Sequence, residues 1–192
     1  MSNPPFPIFN PTASFKAAST VFSNAGVSHF ALIGKLAMWV YLDDISQHQF
    51  TSDVDFAVRL QDAEKLEAAI IKEGLAYEPL AIGGLSIRTG KINLDLMAPQ
   101  SQEYQTLFAE AIESATRQIS VEDVRIPVVS LEHLVALKMV SGEPKQDRDL
   151  KILVGLKSLD YAKAKNIVTQ HLGSTGVERL DKFAQEVGDK LK

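Results

Sequence analysis

Apolar positions along this chain follow two periods, and the periods divide it into helices and strands. Phe15, Ala18, Ser19 and Phe22 fall on one side of a helix that Thr12 caps and Asn24-Ala25-Gly26 ends. Residues 29–33 (HFALI) predict a short buried strand, which Gly34 breaks. Residues 36–42 are apolar and aromatic and predict a buried helix, followed by a polar loop over 43–49. Residues 53–60 predict a second strand. Ala63, Leu66, Ala69 and Ile70 make the apolar stripe of a helix over 62–73 that Gly74 stops. Residues 85–88 and 91–97 predict a hairpin around Thr89-Gly90. An amphipathic helix follows over 101–114, then two short extended segments at 116–120 and 124–129.

Beyond that point the pattern is helical. Ser130 caps a helix running to Val140 and ending near Gly142-Glu143-Pro144. Helices follow over 146–156, 160–172 and 177–191, with Asp160 and Ser174 as caps. Strands before residue 130 and helices after it predict an α+β protein. Its mixed-sheet core with flanking helices covers 1–129, and a C-terminal helical region packed on it covers 130–192. A proline-rich arm, residues 1–11, leads in.

Composition narrows the function classes. The chain has 192 residues, 45% hydrophobic, which is enough for a substantial core. Net charge is −4 and the isoelectric point about 5.6, so a basic groove for nucleic acid is not the starting expectation. There are no cysteines, which excludes disulfides and thiolate metal sites. The N-terminal MSNPPFPIFNP has neither a basic nor an apolar signal-peptide region, and no apolar run approaches the roughly 18 residues of a membrane span. The expectation is a cytoplasmic protein with no membrane partner.

Several motifs fail on inspection. Gly34-Lys35 lacks the upstream glycine and the following Ser or Thr of a phosphate-binding loop, since His29 and Leu36 stand there. His29, His48, His133 and His171 show no metal-ligand spacing. Trp39, with Met38 and Tyr41, reads as core packing.

One stretch resists a purely structural reading. In Thr51-Ser52-Asp53-Val54-Asp55-Phe56-Ala57-Val58 two aspartates sit inside a strand, where aspartate is depleted. Alternation points Asp53 and Asp55 to one face and Val54 and Phe56 to the other. Asp-x-Asp alone is common on solvated strand faces. Two ionised carboxylates that close nonetheless repel, and a divalent cation between them would resolve this. In Lys91-Ile92-Asn93-Leu94-Asp95-Leu96-Met97, Asp95 shares a face with Asn93 and Met97. If this strand lies beside the 53–60 strand, Asp95 joins the pair. Three acids there could hold two Mg²⁺ about 3.5–4 Å apart, as in-line phosphoryl displacement uses.

The order of elements then resembles a known family. Leu32-Ile33-Gly34, a helix, Ser52-Asp53-Val54-Asp55-Phe56, and later Leu94-Asp95-Leu96 resemble the nucleotidyltransferase superfamily with a DNA polymerase beta-like palm. The likeness is strongest to small bacterial members of the minimal-nucleotidyltransferase and abortive-infection toxin kind. Residues 130–153 (SLEHLVALKMVSGEPKQDRDLKIL) resemble its helical element after the palm. The resemblance covers roughly 28–155 and implies a nucleotidyltransferase-like fold. It implies that Asp53, Asp55 and Asp95 bind Mg²⁺ or Mn²⁺, with Asp95 helping to deprotonate the acceptor. A nucleoside triphosphate, ATP among the candidates, would lie against Gly34, Lys35 and Ser52. Its phosphates would meet basic residues drawn from Lys35, Arg88, Lys91, Lys138 and Arg148. Lys138, in an apolar helix, either contacts phosphate or snorkels from the helix end; Asp149 would orient the site. The implied acceptor is a protein side chain, a tRNA end or a small molecule. Lys35 stands where the family has Gly or Ser. That substitution favours an alternative, a non-catalytic binding or regulatory module, such as one half of a toxin–antitoxin pair with a cognate antitoxin or a second copy as partner.

Overall fold

A computed structural model describes residues 11–44, 48, 51–90, 92–140 and 144–190, and the side chains of 146–188 within the last of these. The proline-rich lead-in before residue 11, most of the 43–49 loop, Lys91 and Gly142-Glu143 lie outside the described residues. The chain divides into two compact units, Met1–Val129 and Ser130–Lys192. Among the described residues no helix is long and apolar enough to cross a membrane.

The first unit opens with α1 (Thr12–Ala25), which buries Phe15, Ala18, Val21 and Phe22. Thr12 does not cap it. Pro11 holds that place, and its carbonyl accepts the Phe15 N–H at 3.0 Å. A proline fits there because its missing N–H would have no helical partner. Gly26 ends the helix in the left-handed conformation, φ 65°. Next come β1 (Phe30–Leu32), the short α2 (Gly34–Trp39) and β2 (Asp53–Val58). β2 stops short of the predicted Leu60 because a tight turn, Leu60–Asp62, leads into α3 (Ala63–Lys72). β3 (Tyr77–Pro79), β4 (Gly84–Arg88), β5 (Asn93–Met97), α4 (Gln102–Glu113), β6 (Arg117–Val121) and β7 (Val124–Val128) complete the unit.

β3 was not predicted. It is three residues long, half-exposed to exposed, and ends in a proline that only an edge strand tolerates, so it carries almost no pattern.

The seven strands form one mixed sheet in the order β3-β4-β5-β2-β1-β7-β6. The predicted hairpin is the antiparallel β4–β5 pair. β2 lies parallel to β5 and antiparallel to β1, and β1 runs parallel to β7. One face of the central strands is apolar: Val54, Phe56, Leu94 and Leu96 are all buried. α1 covers it through an aromatic cluster. Phe56 meets Phe15, Phe22 and Phe30 edge-on at centroid distances of 6.2, 5.4 and 5.7 Å, and Phe22 stacks on Phe30 at 3.9 Å.

The second unit is helical: α5 (Leu131–Val140), α6 (Pro144–Val154) and α7 (Tyr161–Lys190). Ser130 caps α5 as predicted. Its Oγ accepts the His133 N–H at 3.4 Å and lies 2.9 Å from His133 Nδ1. Asp160 caps α7 by accepting the Lys163 N–H at 3.0 Å. The two predicted C-terminal helices are one run interrupted at Gly173, whose φ of 64° and ψ of −163° are not helical. Lys138 does not snorkel. Its ammonium donates to Asp149 Oδ2 at 2.8 Å, with side-chain exposures of 6% and 2%. A buried charge needs such a partner.

Lys138→Met is expected to destabilise the protein by about 3–5 kcal/mol, because buried Asp149 loses the cation that faces it. Lys138→Met/Asp149→Leu should recover most of that loss. Urea unfolding of the wild type and both variants checks it; equal loss in the single and double variants would contradict it.

Candidate active site

Alternation along β2 and β5 puts every second side chain on the face opposite the aromatic cluster. The parallel register aligns the two strands residue by residue: Asp53 opposite Asn93, and Asp55 opposite Asp95. The antiparallel β4 adds Ser86 beside Asp95 and Arg88 beside Asn93, and β3 adds Glu78 beside Ser86. Two rows therefore cross this face. One is Glu78, Ser86, Asp95 and Asp55. The other is Arg88, Asn93 and Asp53. The three predicted carboxylates share one face of two adjacent strands, all half-buried.

The edge of the face is built by backbone. The Ile33 N–H donates to the Asp55 carbonyl at 2.9 Å, extending the β1–β2 pairing to the start of α2. Gly34 follows with φ 69°. A Cβ there would overlap Asp55 Oδ2 and come within 2.7 Å of its Cγ. Glycine is thus required twice, by the backbone angle and by the carboxylate pressed against it. Lys35, next in sequence, is half-buried. Ser52 is exposed and donates to Asp53 Oδ2 at 2.9 Å, while Thr51 Oγ1 accepts the Asp53 N–H at 3.4 Å. Arg88 is exposed on the acidic face of β4. Lys138, Arg148 and Asp149 belong to the second unit, where Lys138 and Asp149 are each other's partner.

Ser86 is the site residue that the sequence pattern hid. Its Oγ donates to Asp95 Oδ1 at 2.6 Å, and it is buried. The alternation of Leu85 and Ile87 with Ser86 and Arg88 was a visible signal, but the partner depends on a hairpin register that sequence alone leaves open.

Burial raises the Asp95 carboxyl above its ordinary value. The Ser86 hydrogen bond opposes this, while the charges of Asp53 and, more weakly, Glu78 add to it. A carboxyl raised by neighbouring carboxylates is one that a cation would relieve. All three acids offer oxygen, the donor that hard divalent cations take, so the donor set fits Mg²⁺ or Mn²⁺. Among the described residues, however, no group of three His, Asp or Glu side chains converges to metal-ligand spacing.

Gly34→Ala should cost more than Gly26→Ala. Both glycines have φ between 65° and 69°, a strain of about 1–3 kcal/mol for alanine. Nothing lies within 4 Å of a Cβ at Gly26, whereas at Gly34 the methyl must displace Asp55. Equal losses in chemical denaturation would remove the steric role of Asp55. Asp95→Asn should stabilise the metal-free protein at neutral pH. Well below the ordinary carboxylate range Asp95 is protonated whether folded or unfolded and contributes nothing. As pH rises through its raised folded value, the fold must release a proton at a disfavoured site and loses stability. Asn has no such proton, so the variant's advantage in melting temperature should grow with pH and vanish in acid.

No protein-family model matches this chain. No curated protein matches it. Among solved structures, the antibiotic-resistance factor ANT(2'')-Ia in solution is similar over 95% of this chain and 95% of its own, at 14% identity and a TM-score of 0.48. The same factor in complex with adenylyl-2''-tobramycin is similar over 93% of this chain and 98% of its own, at 14% identity and TM-score 0.47. A nucleotidyltransferase-like antigenic protein from Paracoccidioides brasiliensis is similar over 88% of this chain and 94% of its own, at 15% identity and TM-score 0.48. At these identities and scores no residue and no activity is carried from them to this chain.

Proposed function

We propose that this protein is a metal-dependent nucleotidyltransferase that moves a nucleoside monophosphate from a nucleoside triphosphate to an acceptor hydroxyl. The observation that carries the reading is the placement of Asp53, Asp55 and Asp95 on one face of two parallel strands, with Asp55 directly opposite Asp95. Nothing in folding calls for three acids there, since like charges on paired positions are destabilising.

In this reading Asp53, Asp55 and Asp95 hold Mg²⁺ or Mn²⁺. The bound ion would neutralise charge on the phosphate oxygens during in-line displacement. The acceptor oxygen forms a bond to the α-phosphorus, the bond from that phosphorus to the bridging oxygen breaks, and pyrophosphate leaves. The hydroxyl proton goes to Asp95, the acid of β5 on this face. Gly34, with no side chain, leaves the edge beside Asp55 open to the triphosphate, and Lys35, Ser52 and Arg88 offer it a cation, a hydroxyl and a guanidinium. Lys138 is omitted, because its ammonium is bonded to Asp149. The acceptor is the hydroxyl of a small molecule, a protein side chain or a tRNA end.

A second reading, nucleotide binding without chemistry, has Lys35 in its favour, since it places a long side chain at the turn where the triphosphate would lie. Thermal stability with each of the four nucleoside triphosphates and Mg²⁺ or Mn²⁺ tests both. A ligand at a hundredfold its Kd adds about 2.7 kcal/mol, a shift of several degrees for a chain of this size. The shift is expected in the wild type and should be lost in Asp53→Asn/Asp55→Asn. No shift at millimolar nucleotide would reject the site. A shift without pyrophosphate release toward any acceptor would favour the second reading.

A further inference from the structure

We infer that Ser86 is a positioning residue for Asp95, setting which of its carboxylate oxygens is presented to the cation; the inference rests on the reading of the acidic face just given. Ser86 is 5% exposed and sits in the middle of a strand whose flanking residues, Leu85 and Ile87, face the other way. A buried hydroxyl must find a partner, and the partner is Asp95 Oδ1 at 2.6 Å. That distance is short for a hydroxyl donor and typical of a charge-assisted bond.

The consequence is asymmetric. Oδ1 is held by Ser86, while Oδ2 has no hydrogen-bond partner among the described residues. A carboxylate turns freely about its last bond unless something fixes it. Here a hydroxyl from the neighbouring strand does so, and it is anchored by sheet register, Ser86 opposite Asp95, rather than by a loop. Ser52 makes the corresponding bond to Asp53 Oδ2, but it is exposed and adjacent in sequence, so water competes for that bond. Ser86 therefore fixes its acid more firmly than Ser52 does. Groups that orient a metal-binding carboxylate from behind are typically worth about 10–100-fold in metal affinity.

The experiment is Mn²⁺ binding to the full chain, followed by electron paramagnetic resonance of free Mn²⁺, with the melting temperature of each metal-free variant as a control. The expected result is saturable binding in the wild type, loss in Asp95→Asn, and affinity about 10–100-fold weaker in Ser86→Ala. Ser86→Thr, which keeps the hydroxyl, should bind close to the wild type. Ser86→Cys keeps the size but donates weakly; it should fall with Ser86→Ala and serves as the reading if the alanine variant does not fold. If Ser86→Ala and Ser86→Cys bind like the wild type while Asp95→Asn does not, the positioning role is overturned and the acidic site stands. If the wild type does not bind, or Asp95→Asn binds equally well, the acidic site falls and this inference falls with it.

Discussion

The parallel pairing of β2 with β5 is the constraint on which the rest depends. It sets Asp55 opposite Asp95 and Asp53 opposite Asn93, and in the same stroke sets Val54 opposite Leu94 and Phe56 opposite Leu96. Side chains alternate with a period of two, so a slip of one residue by either strand would send its whole set to the wrong face. Such a slip of β2 would carry Asp53 and Asp55 into the cluster of Phe15, Phe22 and Phe30. Each buried charge there would cost several kcal/mol, and the aromatic contacts of Phe56 would be lost as well. The apolar face is therefore what makes the acidic face accurate. Carboxylates that repel could not choose this register by themselves; the hydrophobic side chains behind them choose it.

The same logic extends to the edge of the site. β1 is held against β2 by its own register and by the Ile33 N–H on the Asp55 carbonyl. The chain must then leave the sheet at once, and Gly34 does so in a conformation that other residues resist, with no side chain between the backbone and Asp55. The aromatic cluster fixes β2 from one side, and Gly34 gives access to its acids from the other.

Alternation made the central strands legible, because the acids interrupt an apolar pattern at single positions and the two strands are long enough to show a period. The terminal helices were legible from glycine and from short polar caps: Ser130, Asp160 and the break at Gly173 all sit where the pattern changes. What stayed hidden depends on pairing. β3 is short and exposed, so no period marks it. Pro11 took the place expected of Thr12 because a carbonyl, not a side chain, receives the first helical N–H. Lys138 and Asp149 both stand out in the sequence, but as groups turned toward a phosphate site; that they bond each other across eleven positions depends on how two helices pack. Ser86 is the sharpest case. It is an unremarkable residue in sequence, and only the β4–β5 register makes it the neighbour of Asp95.

Two buried polar bonds, one in each unit, illustrate how differently such contacts serve a fold. Lys138 and Asp149 satisfy each other, and replacing both by apolar residues of similar volume is often neutral or stabilising in such pairs. Their return is geometric, since any other docking of α5 on α6 strands a charge. Ser86 and Asp95 are not self-sufficient in that way. The serine uses its one proton on a single oxygen of a carboxylate that remains half-exposed, raised by burial and by the charge of Asp53. A bond designed only for stability would enclose the acid or neutralise it. This one engages a single oxygen and leaves the acid half-exposed, on the face where two more carboxylates lie.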